Sequence, residues 1–309
     1  MIVNDEIGRN GRFGNQVLQY GFLACYVQEY GGEFANCPWD GDEIFNVQPG
    51  RAGLPDLPLI TENSDNPAIC PIRNGMGRLK DHKVSGYFQD QTGLFSRNVD
   101  LMKSHFSFKG AAAEQDAELE AALAKCKGPI VVLHLRRGDY GTGFFFLTPH
   151  LWVMLCLIDL KEKYGEFTLV ITSDDTRKLL SIYTEYNPLF GTDLVQRDDT
   201  PGFLLDWQIQ RRADVLLMSN SSFSFTAGLL SDKPDQIRFR PSLIEGGFMP
   251  CNPEIETAVL RDGIAEEYGP LFMSEKARRK TKYRLGRLFR RYPFDTCLSG
   301  QVDLGNTVR

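Results

Sequence analysis

The sequence predicts an α/β fold built on a parallel sheet, and three observations carry this prediction. The apolar run 130–135, Ile-Val-Val-Leu-His-Leu, is typical of a strand that is buried on both faces. From there to residue 230, strand-like and helix-like runs alternate, as they do in βαβ units. Three of the strand-like runs also end in polar residues. Because ligands of open parallel sheets bind outside the carboxyl ends of the strands, these ends form the candidate site.

The central run ends in a charged cluster of His134, Arg136, Arg137 and Asp139. Paired guanidinium groups favour a phosphate, which each can hold through two hydrogen bonds. Alternation along the strand places His134 and Arg136 on one face. Buried polar groups without a partner cost about 1–3 kcal/mol each, and a nucleotide diphosphate would supply that partner. The alternative interpretation is that the arginines lie on the surface and that Asp139 pairs with one of them.

Two further strand-like runs end in polar clusters. They are Ser-Asp-Asp after the run 167–172, and Ser-Asn-Ser-Ser-Phe-Ser between the run 213–218 and a helix over 225–230. A carboxylate suits ribose hydroxyls or the N1/N2 edge of guanine, while hydroxyls at a helix N-terminus suit a phosphate. Each cluster alone could instead be a helix cap. The candidates here are Ser173, Asp174, Asp175, Asn220, Ser221, Ser222 and Ser224.

The N-terminal part predicts a second unit. A weak strand over 1–3 leads to glycines at 8, 11 and 14 and then to a helix from Val17. Backbone N–H groups of this loop, with Gly14, Asn15 and Arg12 nearby, could hold an anion or sugar hydroxyls, although the spacing alone is more typical of a structural turn. A short strand is expected at 85–90 and a helix over 111–126. The Lys-Gly-Pro that follows predicts a domain boundary near residue 127.

Composition indicates an ordinary globular protein of about two domains, with 309 residues, 42% hydrophobic and 24% charged. The seven cysteines are scattered and contain no Cys-x-x-Cys, so neither a disulfide framework nor a zinc site is predicted. The first residues lack a signal-peptide pattern, and no run approaches the about 18 apolar residues of a membrane span. We therefore expect a cytoplasmic protein.

Residues 276–291 hold nine Lys or Arg and no acid, although the whole chain has a net charge of −5. Such a block is commonly a solvated helix face. Because Tyr283, Leu285, Leu288 and Phe289 are interleaved, it could also be an interfacial helix, peripheral on the anionic inner face of a membrane. Nucleic acid is not expected as a partner, since the rest of the chain is acidic and would repel phosphates.

Several of these segments together resemble the ordered motifs of the α-1,2-fucosyltransferases, family 11 of the glycosyltransferases. The order holds from residue 8 to about residue 230. The His-x-Arg-Arg-x-Asp element is also shared with α-1,6- and protein O-fucosyltransferases, whereas the Asn-Ser-Ser-Phe-Ser element is more specific to family 11. The matching segments are Gly11-Arg12-Phe13-Gly14-Asn15-Gln16, Tyr87-Phe88-Gln89, His134 to Tyr140, Ser173-Asp174-Asp175 and Asn220 to Ser224.

The resemblance implies a GT-B glycosyltransferase architecture, with two Rossmann-like lobes and a donor cleft between them. Residues 1–127 would form the acceptor lobe, 128–265 the lobe that binds the nucleotide sugar, and 266–309 a basic tail. The implied reaction is inverting transfer of L-fucose from GDP-fucose to a galactoside hydroxyl, with no cofactor and no required metal. The acceptor would be an oligosaccharide or a lipid-linked glycan, as in synthesis of a surface polysaccharide or O-antigen.

The resemblance also implies roles for individual residues. Arg136 would contact the β-phosphate, His134 the nucleotide or fucose, and Asn15 the donor from the opposite lobe. Asp174 or Asp175 would contact the nucleoside, and Ser221 and Ser222 the phosphates. The general base stays open among Asp139, His134 and an acid of the first lobe. This chain has Phe225-Thr226 where the family usually has Trp-Trp, which leaves open transfer of another GDP-deoxyhexose or formation of another linkage. The alternative to an enzyme is a catalytically silent GDP-sugar-binding protein.

Overall fold

The computed structural model describes residues 1–62, 79–141, 145–175, 179–255 and 258–260. Its first sheet has four parallel strands in the order β2-β1-β4-β3. Val3 of β1 pairs with Ala35 on one side and Lys83 on the other, so β1 and β4 are the two inner strands. The strands are β1 Ile2–Asn4, β2 Phe34–Asn36, β3 Leu59–Thr61 and β4 His82–Ser85.

The second sheet has six strands in the order β10-β9-β8-β5-β6-β7, with β10 antiparallel and the rest parallel. Leu133 of β5 pairs with Ile171 of β6 and Leu217 of β8. All six residues of β5 are buried, because helices cover both faces of the sheet. The strands are β5 Ile130–Leu135, β6 Thr168–Ser173, β7 Leu189–Phe190, β8 Val215–Leu217, β9 Ile237–Ser242 and β10 Gly247–Pro250.

Helices connect the parallel strands and cover the sheets. The longest, α1, has 18 residues, of which 13 are buried, as expected for a helix that packs on most of its circumference. The helices are α1 Phe13–Tyr30, α2 Gly41–Ile44, α3 Thr92–Arg97, α4 Val99–His105, α5 Gly110–Leu123, α6 His150–Tyr164, α7 Leu179–Ile182, α8 Gly191–Leu194, α9 Gly202–Arg211 and α10 Ser222–Leu229.

The two sheets share a core at the N-terminus of α1. The Phe13 ring lies 4.6 Å from Phe203 and 5.4 Å from Trp207, both on α9. Gly14 lies so close to α10 that a Cβ there would be 2.5 Å from the backbone nitrogen of Phe223. Val259, near the end of the described chain, is buried in the same core. Helices from both lobes therefore pack against one another beside the predicted donor cleft.

The prediction of an α/β fold built on parallel sheets is confirmed. The strand expected at 85–90 is wrong, because β4 ends at Ser85 and the backbone turns at Phe88, whose φ is +54°. The boundary near residue 127 stays a prediction, and α5, on its N-terminal side, packs against the second sheet through Leu119 and Leu123.

The basic block 276–291 lies outside the described residues. Among the helices that are described, none has the length and apolarity that crossing a membrane requires.

Candidate functional site

The three polar strand ends meet at one edge of the second sheet, because β8, β5 and β6 are neighbours. A hydroxyl joins two of these ends. Ser219, just after β8, donates its Oγ–H to the carbonyl of His134 at 2.7 Å and accepts the backbone N–H of Arg136 at 2.9 Å. Ser224 in turn donates to the carbonyl of Ser219 at 3.1 Å. Ser219 is the first residue of the predicted serine-rich cluster, but it was not among the individual candidates that the sequence analysis named.

Asp174 holds the loop after β5 from the neighbouring strand end. Its Oδ1 accepts the N–H of Arg137 at 2.7 Å, and its Oδ2 accepts the N–H of Gly138 at 3.0 Å. A Cβ at position 138 would lie 2.8 Å from that Oδ2, so any larger residue there would have to displace the Asp174 carboxylate. Ser173 also reaches this loop by donating to the carbonyl of Leu135 at 2.6 Å. The Ser-Asp pair therefore fixes the backbone that carries the two arginines.

Arg136 lies between two carboxylates at the tip of β5, past the end of the strand. Its Nε is 3.0 Å from Asp139 Oδ1 and 3.3 Å from Asp174 Oδ2, and its Nη2 is 3.3 Å from Asp139 Oδ2. The Arg136 side chain is 16% exposed. A guanidinium that two carboxylates hold has a fixed orientation before any anion arrives.

Asp139 also marks the place where the two lobes meet. Arg12, from the loop after β1, lies 3.5 Å from Asp139 Oδ2. Partial burial works to raise the pKa of Asp139, but the hydrogen bond and charge of Arg136 and the charge of Arg12 outweigh it and hold that pKa below its ordinary value. The carboxyl edges of both sheets thus face each other here, with two guanidinium groups in reach of one small volume.

Arg137 turns away from this crevice. Its Nη2 donates to the carbonyl of Thr148 at 3.1 Å and lies 3.2 Å from His150 Nε2, while His150 Nδ1 lies 2.6 Å from the hydroxyl of Tyr183. Burial and the charge of Arg137 lower the pKa of His150 to about 3, so this imidazole is neutral. The predicted pair of phosphate-binding arginines is therefore divided, with Arg136 at the crevice and Arg137 in the interior.

His134 is 4% exposed, and its ring centroid lies 5.5 Å from that of Phe223. Burial, and then the charge of Arg136, lower its pKa to about 3. Its Nδ1 makes no hydrogen bond within the described residues. The common face expected for His134 and Arg136 stays a prediction, because β5 ends at Leu135, between these two residues. A neutral imidazole at this depth can offer one hydrogen bond to a ligand.

Most residues of the serine-rich turn hold the local structure together, and Ser222 is partly exposed. Ser221 caps α10 by accepting the N–H of Phe223 at 3.2 Å, and Ser224 is fully buried. The Asn220 carbonyl accepts the hydroxyl of Tyr140 at 2.9 Å, and its side-chain oxygen accepts from Arg240 at 2.8 Å. Ser222, the first residue of α10, is half-buried. Its hydroxyl and the N-terminus of α10 are the parts of this turn that can meet an anion.

The first lobe brings Asn15 to the same place. Asn15 lies in the first turn of α1, and its Oδ1 accepts from Gln89 Nε2 at 2.8 Å. At Gly14, beside Asn15, the backbone of α1 lies close to the backbone of Ser222 and Phe223 at the start of α10. The glycine loop and the Tyr87-Phe88-Gln89 segment are thus joined across the carboxyl edge of the first sheet.

Asp206 is a titratable group of this edge that sequence reasoning missed. It lies on α9, and its Oδ1 is 3.3 Å from where a Cβ would stand at Gly191, the residue after β7. Burial raises the pKa of Asp206 to about 7, partly offset by a hydrogen bond from the backbone of Ser173. The sequence carries no signal for it, because one acid in an amphipathic helix is usually a surface residue.

Comparisons with known proteins find structural likeness only. No family model matches the chain, and no curated protein matches it in sequence. The NodZ α-1,6-fucosyltransferase soaked with GDP-fucose is similar with a TM-score of 0.50 and 14% identity, over 81% of this chain and 98% of that chain. A variant of Arabidopsis thaliana FUT1 in complex with GDP is similar with a TM-score of 0.50 and 15% identity, over 78% of this chain and 70% of that chain. With two sheets whose carboxyl edges meet at a charged crevice, the chain has the GT-B fold of these fucosyltransferases.

Proposed function

We propose that this protein is an inverting glycosyltransferase that moves L-fucose from GDP-fucose to a hydroxyl of a galactoside. The observation that carries the proposal is the placement of Arg136. Arg136 lies at the tip of the central strand, where Asp139 and Asp174 orient it. Arg12 of the first lobe lies within 3.5 Å of the Asp139 carboxylate. A diphosphate between the lobes would meet both guanidinium groups.

The donor would lie along the carboxyl edge of the second sheet. Its β-phosphate would bind Arg136, and its phosphates would also reach Ser222 and the N-terminus of α10. Guanine carries N–H donors on its N1/N2 edge, and Asp206, as a carboxylate, would accept them. His134 would offer one hydrogen bond from a neutral ring, and Asn15 would approach the sugar from the first lobe.

The chemistry requires charge to develop on the leaving group. As the bond between fucose C1 and the β-phosphate oxygen breaks, the electron pair stays on the phosphate. A guanidinium that is already oriented stabilises that charge without further reorganisation. A guanidinium has five N–H groups, so a phosphate would bind those that do not face Asp139 and Asp174, and both carboxylates would stay in place.

The two similar structures support the donor class, since one is a fucosyltransferase soaked with GDP-fucose and the other is FUT1 in complex with GDP. The α-1,2 linkage, a galactoside acceptor and a role in surface polysaccharide synthesis rest on the sequence motifs. Transfer of another GDP-deoxyhexose, another linkage, or silent binding of a GDP-sugar are the alternatives.

A donor panel separates these alternatives. The purified protein is incubated with GDP-fucose, GDP-mannose, GDP-rhamnose and UDP-galactose, each with and without a panel of β-galactosides, and the release of free nucleotide is followed. We expect release of GDP from GDP-fucose, accelerated by at least one galactoside. Calorimetric binding of GDP-fucose without release of GDP would favour the silent binder. Absence of heat with both GDP and GDP-fucose would overturn the assignment.

A further inference from the structure

The proposed transfer needs a group that removes the proton from the acceptor hydroxyl, and the following inference rests on that proposed function. A general base must reach the hydroxyl, and it must have an oxygen or nitrogen available for the proton. The described part of the chain offers few groups of this kind at the crevice.

Three groups of the second lobe do not meet these requirements. Asp139 is held by Arg136 through both oxygens, and Arg12 adds a second positive charge. Asp174 is bound by two backbone N–H groups and by Arg136. His134 is almost completely buried against Phe223. Asp139 and Asp174 are therefore held by Arg136, and His134 is buried, so none of the three is placed to take a proton from the acceptor.

The first lobe has five acids just beyond the carboxyl ends of its strands, and their surroundings differ. Asp5 is paired with Lys83 at 2.8 Å. Glu62 is 3% exposed and accepts the N–H of Phe88 at 2.6 Å. Asp40 follows the edge strand β2 and accepts from Gln16. The five acids are Asp5, Glu6, Asp40, Glu62 and Asp90.

Glu6 and Asp90 follow the two inner strands, and Glu6 is the one with a fixed orientation. The hydroxyl of Ser85, the last residue of β4, donates to Glu6 Oε2 at 2.5 Å, and Asn10 donates to that hydroxyl at 3.2 Å. Asp90 is exposed and makes no hydrogen bond or ion pair within the described residues. Glu6 is 34% exposed, and the nearest cation, Arg9, is 4.0 Å away.

The position of Glu6 fits an acceptor that approaches from the first lobe. Glu6 belongs to the loop between β1 and α1 that also carries Arg12, the residue that reaches Asp139 across the crevice. Gln19 fixes this loop by accepting the N–H of Gly8 at 3.3 Å and by donating to the carbonyl of Asn10 at 2.9 Å. One carboxylate oxygen is therefore held by Ser85 while the side chain stays accessible at the centre of the edge.

We propose that Glu6 is the general base of the transfer. A Glu6 carboxylate oxygen takes the proton of the acceptor hydroxyl while the hydroxyl oxygen bonds to fucose C1. The bond between C1 and the β-phosphate oxygen breaks, and its electron pair leaves on GDP, next to Arg136. Glu6 then releases the proton to water.

The test uses Glu6→Gln, which keeps an oxygen for Ser85 but cannot take the proton. Transfer to the best galactoside of the panel is expected to fall about 10²–10⁴-fold, the usual contribution of a general base. If the protein transfers fucose to none of the galactosides, hydrolysis of GDP-fucose is measured instead, because the attack of water also releases a proton. Calorimetric affinity for GDP-fucose is expected to stay at the wild-type value. Azide brings no proton, so formation of fucosyl azide is expected at equal rates in the variant and the wild type.

Asp40→Asn and Asp90→Asn are the matched controls, since each removes an acid from the same edge. Near-wild-type transfer by Glu6→Gln, or a large loss in either control instead, would overturn the inference. A parallel loss of the azide reaction would assign Glu6 to donor binding and would also overturn it. If the wild-type protein neither binds GDP-fucose nor releases GDP, it is the proposed function that fails, which the wild-type measurement shows before any variant is made.

Discussion

Arg136 is the residue on which the proposed chemistry depends most. We expect Arg136→Lys and Arg136→Ala to lower the turnover number about 10²–10³-fold, because a lysine ammonium cannot reproduce the planar, two-point contact with a phosphate. Asp174 would keep its two backbone partners, so the loop should stay folded. GDP release under saturating donor and thermal unfolding measure the two effects. Arg51→Ala, which removes an exposed arginine of the first lobe, is the control and should leave both unchanged.

Asp206 predicts a pH dependence of donor binding. Folding raises its pKa to about 7 from an ordinary value of 3.8, so the stability that it contributes is complete below about pH 4 and is lost as the pH rises through 7. Guanine would bind the ionised form, so affinity should change in the opposite direction. Between pH 6 and pH 8 we expect affinity for GDP-fucose to rise about tenfold.

Calorimetry at several pH values measures this effect. GDP-fucose is the appropriate ligand, because its diphosphate is esterified at both ends and loses no proton in this range. Asp206→Asn should abolish the pH dependence. A slope that persists in that variant would remove Asp206 from the guanine site.

For the individual residues of the site, the sequence predicted which polar residues follow apolar strands but not the direction of each side chain. Arg136 and Asp174 were predicted as candidates because polar residues at strand ends stand out from the apolar run before them. The inward turn of Arg137 depends on His150 and Tyr183, which lie on other elements and join it only in the tertiary structure. The raised pKa of Asp206 likewise arises from packing, which no sequence pattern expresses.

The packing of helix α1 against α10 depends on the absence of a Cβ atom at Gly14. A Cβ at Gly14 would lie 2.5 Å from the backbone nitrogen of Phe223, whereas at Gly93 in α3 it would meet only the tip of Arg97, at 3.5 Å. Alanine favours a helix over glycine by about 1 kcal/mol. We therefore expect Gly93→Ala to be neutral or stabilising, and Gly14→Ala to lower the unfolding temperature and weaken donor binding. Thermal unfolding and calorimetry with GDP-fucose measure these effects in the two variants, and equal effects would show that the approach of α1 to α10 tolerates a methyl group.

The elements themselves were predicted to different degrees. Strand β5 was clear from its apolar run, and the helix at 110–123 from its Ala, Glu and Leu content, because burial and helix propensity are both local signals. The segment 85–90 was not, since Tyr-Phe favours a strand while tertiary packing stacks Phe88 on Phe22 at 4.1 Å and turns the chain.

At the scale of the whole molecule, Arg12 forms an ion pair between the lobes. Its side chain is 71% exposed and Asp139 is 51% exposed, so the pair should add no more than about 1 kcal/mol to stability. A diphosphate in the crevice would give Arg12 a stronger, charge-assisted partner. We expect Arg12→Gln to leave the unfolding temperature unchanged and to weaken GDP-fucose binding about tenfold, with a smaller dependence on salt concentration. An unchanged affinity would place Arg12 outside the donor site.

The path of the chain between the lobes has a consequence for dissecting the protein. Helix α5 precedes residue 127 but covers the second sheet, and Val259 follows that sheet but is buried in the core beside α1. Arg240, on β9, holds the segment at Val259 in place by donating to the carbonyls of Ala258 and Val259. If residues 1–127 and 128–309 were expressed separately, neither fragment would contain all the side chains that form its core. Separate fragments would therefore be poor reagents, and only their co-expression could rebuild the crevice.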